Sequence, residues 1–326
     1  AGGGISRREG VFAALVAGVS SLTLTDARAE TPETSPLSGG FSSISTADAS
    51  PNISEGLVSG ELQVQAIQAY RAKDLPEALR LFDEIVKLDP ENPVWYERRG
   101  QVWLDLKKFQ NAITDFNTAQ TRSPENYISL GLLGNRGLAH EGLSLWKNAI
   151  EDYTRAIDLG DSIGAQIPYI LNSRGNCYAS IGEYQTALDD FERSADVFRK
   201  IRSISGTIYA LSNAALMHAQ LGDDDRAIKE MKTVARRAPG SIDMRAALAA
   251  MYWERGEEDK AEEYWGWACN KINSGQMTEN GPVLDGCGLY KDMDWLARIR
   301  RWPPVMVAKM EAFVKLRSVG SKDQAE

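Results

Sequence analysis

The sequence predicts an all-α fold in which short helices pair into hairpins and the hairpins stack side by side. Within Pro93–Asn126, small and aromatic residues recur three and four positions apart on either side of a short turn. That spacing is the period of an α-helix. The same pattern returns at regular intervals along the chain. One hairpin cannot bury its apolar face alone, so the repetition predicts an array in which neighbouring hairpins cover one another.

Three positions define the repeat. An Ala on each second helix recurs at intervals of 34, 37, 38, 40 and 34 residues. These alanines are Ala78, Ala112, Ala149, Ala187, Ala227 and Ala261. A large residue follows four positions later, from Phe82 to Trp265, and a small residue comes twelve positions earlier, from Ala66 to Ala249. Six repeats in register predict an α-α superhelix over residues 58–271.

This pattern resembles the tetratricopeptide repeat family, whose unit is a helix–turn–helix of about 34 residues. Three intervals are longer than that, and only Pro90, Pro124 and Pro239 match the Pro that usually ends a repeat. The extra residues fall before the next first helix, where we expect lengthened helices or loops. The resemblance implies a non-enzymatic scaffold that binds a protein or peptide partner.

Residues 1–29 are predicted to be an export signal. Arg7 and Arg8 precede the apolar stretch Val11–Leu24, and small residues that a signal peptidase reads end at Ala29. Paired arginines of this kind are typical of twin-arginine signals. The small residues predict cleavage after Ala29. The alternative is an N-terminal core helix with a chance pair of arginines.

The predicted compartment is the chloroplast thylakoid lumen. The chain opens on Ala1 rather than Met, as expected for a plastid precursor that has lost a transit peptide and keeps a second signal. A bacterial periplasmic protein is the alternative.

Residues 30–57 are rich in Ser, Thr, Pro, Ala and Gly, and they predict a flexible linker because they cannot bury enough apolar surface to become ordered.

Bulk properties exclude several classes of function. The net charge of −8 argues against a nucleic-acid partner, since phosphate binding needs a positive surface. Three Cys are too few for a disulfide scaffold. No apolar run reaches the roughly 18 residues that a membrane-spanning helix needs.

No catalytic, cofactor or metal site is predicted. The sequence lacks a nucleophile elbow, a phosphate-binding Gly loop and a zinc-protease helix. His140 and His218 occupy the same repeat position, where the related family usually has Tyr, and they lie two repeats apart. Metal ligands must converge within a few ångströms, so both His are interpreted as residues at the edge of the core.

Residues 272–326 are predicted to be an irregular loop followed by two capping helices. A terminal repeat needs such a cap over its open apolar face. Asp294 is the expected N-cap of the first helix, and Val305–Arg317 is amphipathic. Lys291–Lys322 holds eight Lys or Arg against three Asp or Glu. This basic character indicates either a solvated helical face or a patch for peripheral membrane or partner contact.

Cys269 and Cys287 bracket the loop after the sixth repeat. In an exported protein they could form a disulfide that pins the cap and stabilises it by roughly 3 kcal/mol. Two unpaired thiols are the alternative. Cys177 lies within a first helix and is predicted to be a small buried residue.

The resemblance places the binding surface in a concave groove lined by the first helices. The family's best-known ligand mode, a carboxylate clamp of Lys, Arg and Asn, is not filled, since Arg98 and Asn135 are isolated matches. We therefore predict an extended peptide held by exposed Tyr and Asn side chains. These candidates are Tyr169, Asn172, Asn176, Tyr209 and Asn213. The alternative is that the Asn residues merely reflect what the repeat prefers.

The predicted role is to assist the assembly or maintenance of a photosynthetic membrane complex. Two other hypotheses remain at this stage: a periplasmic repeat protein in bacterial envelope assembly, and an enzyme whose active site lies in the C-terminal cap.

Overall fold

Helical hairpins follow one another along the computed structural model, which describes residues 60–124, 129–239, 241–273 and 289–320. The predicted signal at 1–29 and the linker at 30–57 lie outside these ranges. The first three hairpins pair α1 (Gly60–Arg71) with α2 (Leu75–Leu88), α3 (Pro93–Asp105) with α4 (Phe109–Arg122), and α5 (Leu130–Gly142) with α6 (Trp146–Ile163). The next three pair α7 (Pro168–Ser180) with α8 (Tyr184–Lys200), α9 (Ile204–Gln220) with α10 (Asp224–Arg237), and α11 (Ile242–Glu254) with α12 (Glu258–Asn273).

Two further helices, α13 (Met293–Arg298) and α14 (Pro304–Gly320), follow the hairpins. All regular structure in the described ranges is helical, which confirms the all-α prediction. None of these helices is both long enough and apolar enough to cross a membrane. The intervals of 38 and 40 residues contain longer helices, as expected, whereas the extra residues of the 37-residue interval lie between α4 and α5. Helix α6 has 18 residues, and α8 and α9 have 17 each, against 13 or 14 in α3 and α4.

The hairpin turns share one backbone feature. Two residues before each second helix, one residue adopts a left-handed conformation with φ between 58° and 87°. These residues are Lys73, Lys107, Ser144, Gly182, Gly222 and Gly256. Glycine adopts this conformation without strain, whereas a side chain makes it costly. The last three hairpins therefore have the less strained turns.

Side-chain caps fix where several helices begin. The Asp223 carboxylate accepts a hydrogen bond from the backbone N–H of Arg226 at 3.2 Å, so this acidic turn caps the second helix of repeat five. Asn92 caps α3 in the same way, with Pro93 as the first helical residue. The N-cap of α13 is Asp292 and not Asp294 as predicted.

The reason for that correction lies in how the two carboxylates are used. Asp292 accepts from the backbone N–H of Trp295 at 3.0 Å, three residues further on, which is the usual reach of an N-cap. Asp294 lies inside the first turn instead and forms an ion pair with Arg298, four residues along the same helix.

The described chain divides into two compact units. Among the described residues, the N-terminal unit comprises those up to 177 and the C-terminal unit those from 178 onward. In the N-terminal unit the large residue of each second helix is buried against the small residue of its first helix. A Cβ added at Gly100 would lie 2.7 Å from a ring carbon of Phe116, and one at Gly137 would lie 2.6 Å from a ring carbon of Tyr153.

In the C-terminal unit, α14 lies on the first helices α11 and α9. Met306, Met310 and Phe313 are fully buried there, and the Phe313 ring packs edge-on against Trp253 and Trp265. We expected the cap to cover the open side of the last repeat. Its main contacts are with the last repeat, through α11 and Trp265, and it also reaches α9 of the repeat before. Helix α11 is apolar on nearly every side, so it can bury one face in its hairpin and another under α14.

Replacing Gly137 by Ala should destabilise the N-terminal unit by about 1–3 kcal/mol, because the added methyl group overlaps the Tyr153 ring. The measurement is the urea dependence of unfolding, followed by circular dichroism. Gly266→Ala is the matched control, since nothing lies within 4 Å of a Cβ at that helical position. The control should stabilise its helix by about 0.5–1 kcal/mol. Equal effects from both variants would contradict the proposed contact.

Candidate functional site

A buried ion pair joins the two helices of repeat two. The Arg99 guanidinium donates to both carboxylate oxygens of Asp115 at 2.8 and 2.7 Å. It also donates to Asp83, on the second helix of the preceding repeat, at 2.9 Å. Asp115 is 4% exposed, so this guanidinium is the counter-charge that makes its burial tolerable.

Repeat three contains the same arrangement. Arg136 donates to the two oxygens of Asp152 at 2.9 and 2.6 Å, and its third nitrogen donates to Asn117 of the preceding repeat at 2.9 Å. In both repeats one guanidinium bridges its own second helix and the second helix before it. The sequence signal was available but was not used. An Arg precedes the small residue, and an Asp follows that Arg by 16 positions in each case.

Repeat five departs from this arrangement. The position of Arg136 is occupied by Ala214, the position of Asp152 by Glu230, and the position of Asn117 by Glu192. The repeat has therefore lost the guanidinium of its first helix, and both of the positions that it bridged are acidic. Arg226 of α10 pairs with both carboxylates instead. The imidazole of His218, on α9, lies between these two carboxylates.

Glu192, His218 and Glu230 form what we call the His218 cluster. The Nε2 atom of His218 lies 3.5 Å from Glu192 Oε1 and 3.7 Å from Glu230 Oε2. His218 is 3% exposed, and neither its Nε2 nor Glu230 Oε2 makes a hydrogen bond. One ligand atom from each residue lies within 4.8 Å of the others. The sequence interpretation compared only the two His with each other and missed the two glutamates.

His140, the equivalent residue in repeat three, has a different environment. Its Nε2 lies 3.6 Å from Asp152, but that carboxylate already binds the Arg136 guanidinium. Burial lowers the pKa of His140, with a smaller opposing effect from Asp152. One carboxylate lies within 4 Å of this imidazole, whereas two lie within that distance of the His218 imidazole.

The five predicted groove residues divide between the two units. Tyr169, Asn172 and Asn176 lie on α7 in the N-terminal unit, and Tyr209 and Asn213 lie on α9 in the C-terminal unit. Four of them are partly exposed. Asn172 is 1% exposed, so the expectation that it is an exposed contact residue is wrong. It lies three residues before the buried Gly175 and so shares the buried side of α7.

The C-terminal segment binds to a polar residue of a first helix. Asp243, on α11, accepts a hydrogen bond from the Tyr290 hydroxyl and forms an ion pair with Arg300. Burial lowers the pKa of Arg300 to about 10, so its guanidinium remains charged at neutral pH, and it lies near Tyr209. Lys309 of α14 pairs with Asp224 at 3.1 Å. Part of the predicted basic patch therefore holds the cap in place.

A surface cavity of about 450 Å³ lies beside the His218 cluster. Glu230 belongs to both features. The cavity is lined by Arg199, Leu211, Arg226, Lys229, Glu230, Thr233 and Arg237. Its lining is mainly basic, although Arg226 is already paired with Glu192 and Glu230.

The cysteines agree with the sequence interpretation as far as they are described. Cys177 is a fully buried thiol, as predicted. Cys269 is held in a disulfide. Cys287 lies outside the described residues, so the pairing of Cys269 with Cys287 stays a prediction.

Comparison with known proteins identifies the repeats. Residues 64–127 match the family model described as tetratricopeptide repeat. Heat shock protein STI1 of Saccharomyces cerevisiae is 31% identical over 107 residues, which cover 32% of this chain and 18% of the yeast protein. Hsc70-interacting protein 1 of Drosophila melanogaster is 37% identical over 59 residues, covering 18% of this chain and 16% of that protein.

A chloroplast protein is also similar. Translocon at the outer membrane of chloroplasts 64 from Pisum sativum is 33% identical over 92 residues, covering 28% of this chain and 15% of the pea protein. The chain thus spans less than a fifth of the length of these relatives. Two solved structures share the fold at 14% identity. RapI in its apo form has a TM-score of 0.54 and covers 80% of this chain and 98% of its own. BtubC from P. vanneervenii has a TM-score of 0.53, and the match covers 69% of this chain and 96% of BtubC.

Replacing Arg136 by Met should destabilise the protein by about 3–5 kcal/mol, because Asp152 would remain buried without a counter-charge. The free energy of unfolding in urea measures this effect. Adding Asp152→Leu to the same protein should restore much of the loss, since the unpaired charge is then gone. Arg80→Met removes an exposed ion pair with Glu77 and should change little. A loss after Arg80→Met as large as that after Arg136→Met would contradict this account.

Replacing Asp243 by Ala should loosen α13 and α14. The buried Arg300 guanidinium would lose its ion pair and the Tyr290 hydroxyl its acceptor. Hydrogen exchange followed by mass spectrometry should show faster exchange in α14 and unchanged exchange in α2 and α4. Slow exchange in α14 of this variant would mean that apolar contacts alone hold the cap.

Proposed function

We propose that this chain, which belongs to the tetratricopeptide repeat family, is a non-enzymatic protein-binding scaffold that assists a photosynthetic membrane complex from the thylakoid lumen. Stacked helical hairpins of this family bind protein or peptide partners. The observation that carries the proposal for this chain is the exposure pattern on α7. Tyr169 and Asn176 remain partly exposed on this first helix, although the residues between them are largely buried.

The relatives support a peptide partner without identifying it. The fly relative is named for its interaction with Hsc70. In this chain the basic positions of the carboxylate clamp are not filled, and Asn135 is buried at 5% exposure. We therefore propose an extended segment of another partner, contacted through a Tyr ring and an Asn amide.

We place the proposed site in the N-terminal unit because, in the C-terminal unit, the cap packs on the first helices that a partner would contact. Helix α14 lies on α9 and α11, and Asp243 is engaged by the cap. Tyr209 and Asn213 on α9 stay predicted contact residues, but a partner would meet them beside the cap. Tyr169 and Asn176 are therefore the better positions to test first.

The compartment rests on the sequence. Arg7 and Arg8 before an apolar stretch that ends in small residues support export by a twin-arginine route. Similarity to a chloroplast translocon component from pea supports a plastid origin for the repeats. A periplasmic scaffold in bacterial envelope assembly is the alternative, and the same signal would serve it.

Crosslinking in isolated thylakoids, followed by mass spectrometry of the captured chains, tests this function. The full chain should capture a subunit or assembly factor of a photosynthetic complex. Tyr169→Ala combined with Asn176→Ala should lower the yield of that product at least about tenfold, since a few anchor residues carry most of the binding energy. The melting temperature should stay close to that of the unmodified protein.

Gln185→Ala combined with Asp189→Ala is the matched control, because both residues are exposed on the second helix α8. It should leave capture unchanged. Absence of any lumenal protein among the crosslinked products would contradict the scaffold function. Normal capture by the Tyr169 and Asn176 variant would contradict the site and leave the function standing.

A further inference from the structure

We infer that Glu192, His218 and Glu230 form a binding site for a divalent transition-metal ion of the zinc type. The ion would join the second helix of repeat four, α8, to both helices of repeat five, α9 and α10. This site is separate from the proposed peptide contacts on α7 and does not depend on them.

The first argument comes from comparing the repeats. In repeat three the guanidinium of Arg136 bridges Asp152 and Asn117, so a cation links the two second helices. In repeat five Ala214 cannot supply that cation, yet the two bridged positions have become Glu230 and Glu192. The half-exposed Arg226 pairs with one oxygen of each glutamate, yet Glu230 Oε2 and His218 Nε2 keep no hydrogen bond. A second cation between those two atoms would supply the partner that this guanidinium does not.

The second argument is the state of the buried imidazole. His218 is 3% exposed, and its Nε2 is buried without a hydrogen bond. A buried polar atom without a partner costs free energy, so native proteins almost always provide one. Glu230 Oε2 is unsatisfied in the same way and lies 3.7 Å away. One ion placed between these two atoms would satisfy both.

The third argument is the spacing of the ligand atoms. Zinc binds imidazole nitrogen and carboxylate oxygen at about 2.0–2.2 Å, so two ligands of a tetrahedral ion lie about 3.4 Å apart. The distances from His218 Nε2 to the two glutamate oxygens are 3.5 and 3.7 Å. All three atoms lie within 4.8 Å of one another. The Glu192 side chain is 40% exposed and can close the remaining gap by a change of rotamer.

The donor set selects the class of metal. One imidazole nitrogen with two carboxylate oxygens suits zinc and neighbouring transition ions, whereas calcium and magnesium prefer sites built entirely from oxygen. Three protein ligands leave the fourth tetrahedral position for water.

Arg226 is the residue that competes with the ion. Its guanidinium pairs with Glu192 Oε1, which is also the oxygen nearest His218 Nε2. Its Nε lies 3.1 Å from Glu230 Oε1, whereas the other oxygen of that carboxylate, Oε2, lies 3.7 Å from His218 Nε2. Because the Arg226 side chain is 49% exposed, it can leave Glu192 and still hold Glu230 in position. Lys229, Arg199 and Arg237 line the adjacent cavity and also oppose a cation.

Isothermal titration of the disulfide-intact full chain with Zn²⁺ tests the site, after any accessible thiols have been alkylated. We expect one bound Zn²⁺ per chain, and Co²⁺ in its place should give the visible absorption of a tetrahedral complex. Magnesium and calcium should not compete. Since the chain contains only two His, NMR of the imidazole nitrogens reports each one separately. Zinc should shift the signals of His218 and leave those of His140 unchanged.

Variants then decide whether these residues are the ligands. His218→Asn and Glu230→Gln should each weaken zinc binding at least about tenfold, since even the loss of a supporting residue costs a metal site 10–100-fold. His140→Asn is the matched control and should bind zinc normally. Arg226→Gln should bind more tightly, because it removes the competing charge.

One further variant covers the case in which loss of a ligand unfolds the repeat. Ala214→Arg restores the guanidinium present in repeats two and three, so the helical circular dichroism should be retained while zinc binding is lost. Unchanged zinc affinity in folded His218→Asn, or zinc binding by Ala214→Arg equal to that of the unmodified chain, would overturn the inference. Absence of any bound zinc in the unmodified chain, with both imidazole signals unshifted, would overturn it as well.

Discussion

The contact between a small residue on each first helix and a large residue on its second helix is the constraint on which the rest of the structure depends. At Gly100 and Gly137 the aromatic ring lies where a Cβ would be, so the two backbones approach closely. This closeness brings the positions beside the contact together as well. The Arg before the glycine then meets the Asp before the aromatic residue, and a buried ion pair becomes possible.

That polar layer makes the repeats differ chemically while they stay alike in shape. Repeats two and three satisfy their buried carboxylates with a guanidinium from within the chain. Repeat five keeps the apolar contact through Ala215 and Met231 but replaces the Arg by Ala214, and so gathers two glutamates around His218. Changes at three side chains in an otherwise constant frame can thus turn a structural ion pair into a candidate ligand site.

The cap restricts where a partner can bind. Helix α14 buries Met306, Met310 and Phe313 on first helices of the C-terminal unit. Arg300, just before α14, forms an ion pair with Asp243. The surface of α9 and α11 under α14 is therefore used for packing. The Tyr and Asn side chains on α7 lie outside that arrangement, which is why the proposed function and its test are centred on them.

The sequence by itself determined the helices, the six hairpins, their lengthened members and the small–large contact, because these depend on local periodicity and on spacings that recur along the chain. Only the tertiary structure decided the burial of Asn172, the place of the cap and the meeting of Glu192 with His218 and Glu230. Those features depend on which faces of separate helices come together. Periodicity shows that a helix has an apolar face, but it does not specify which neighbour will cover it.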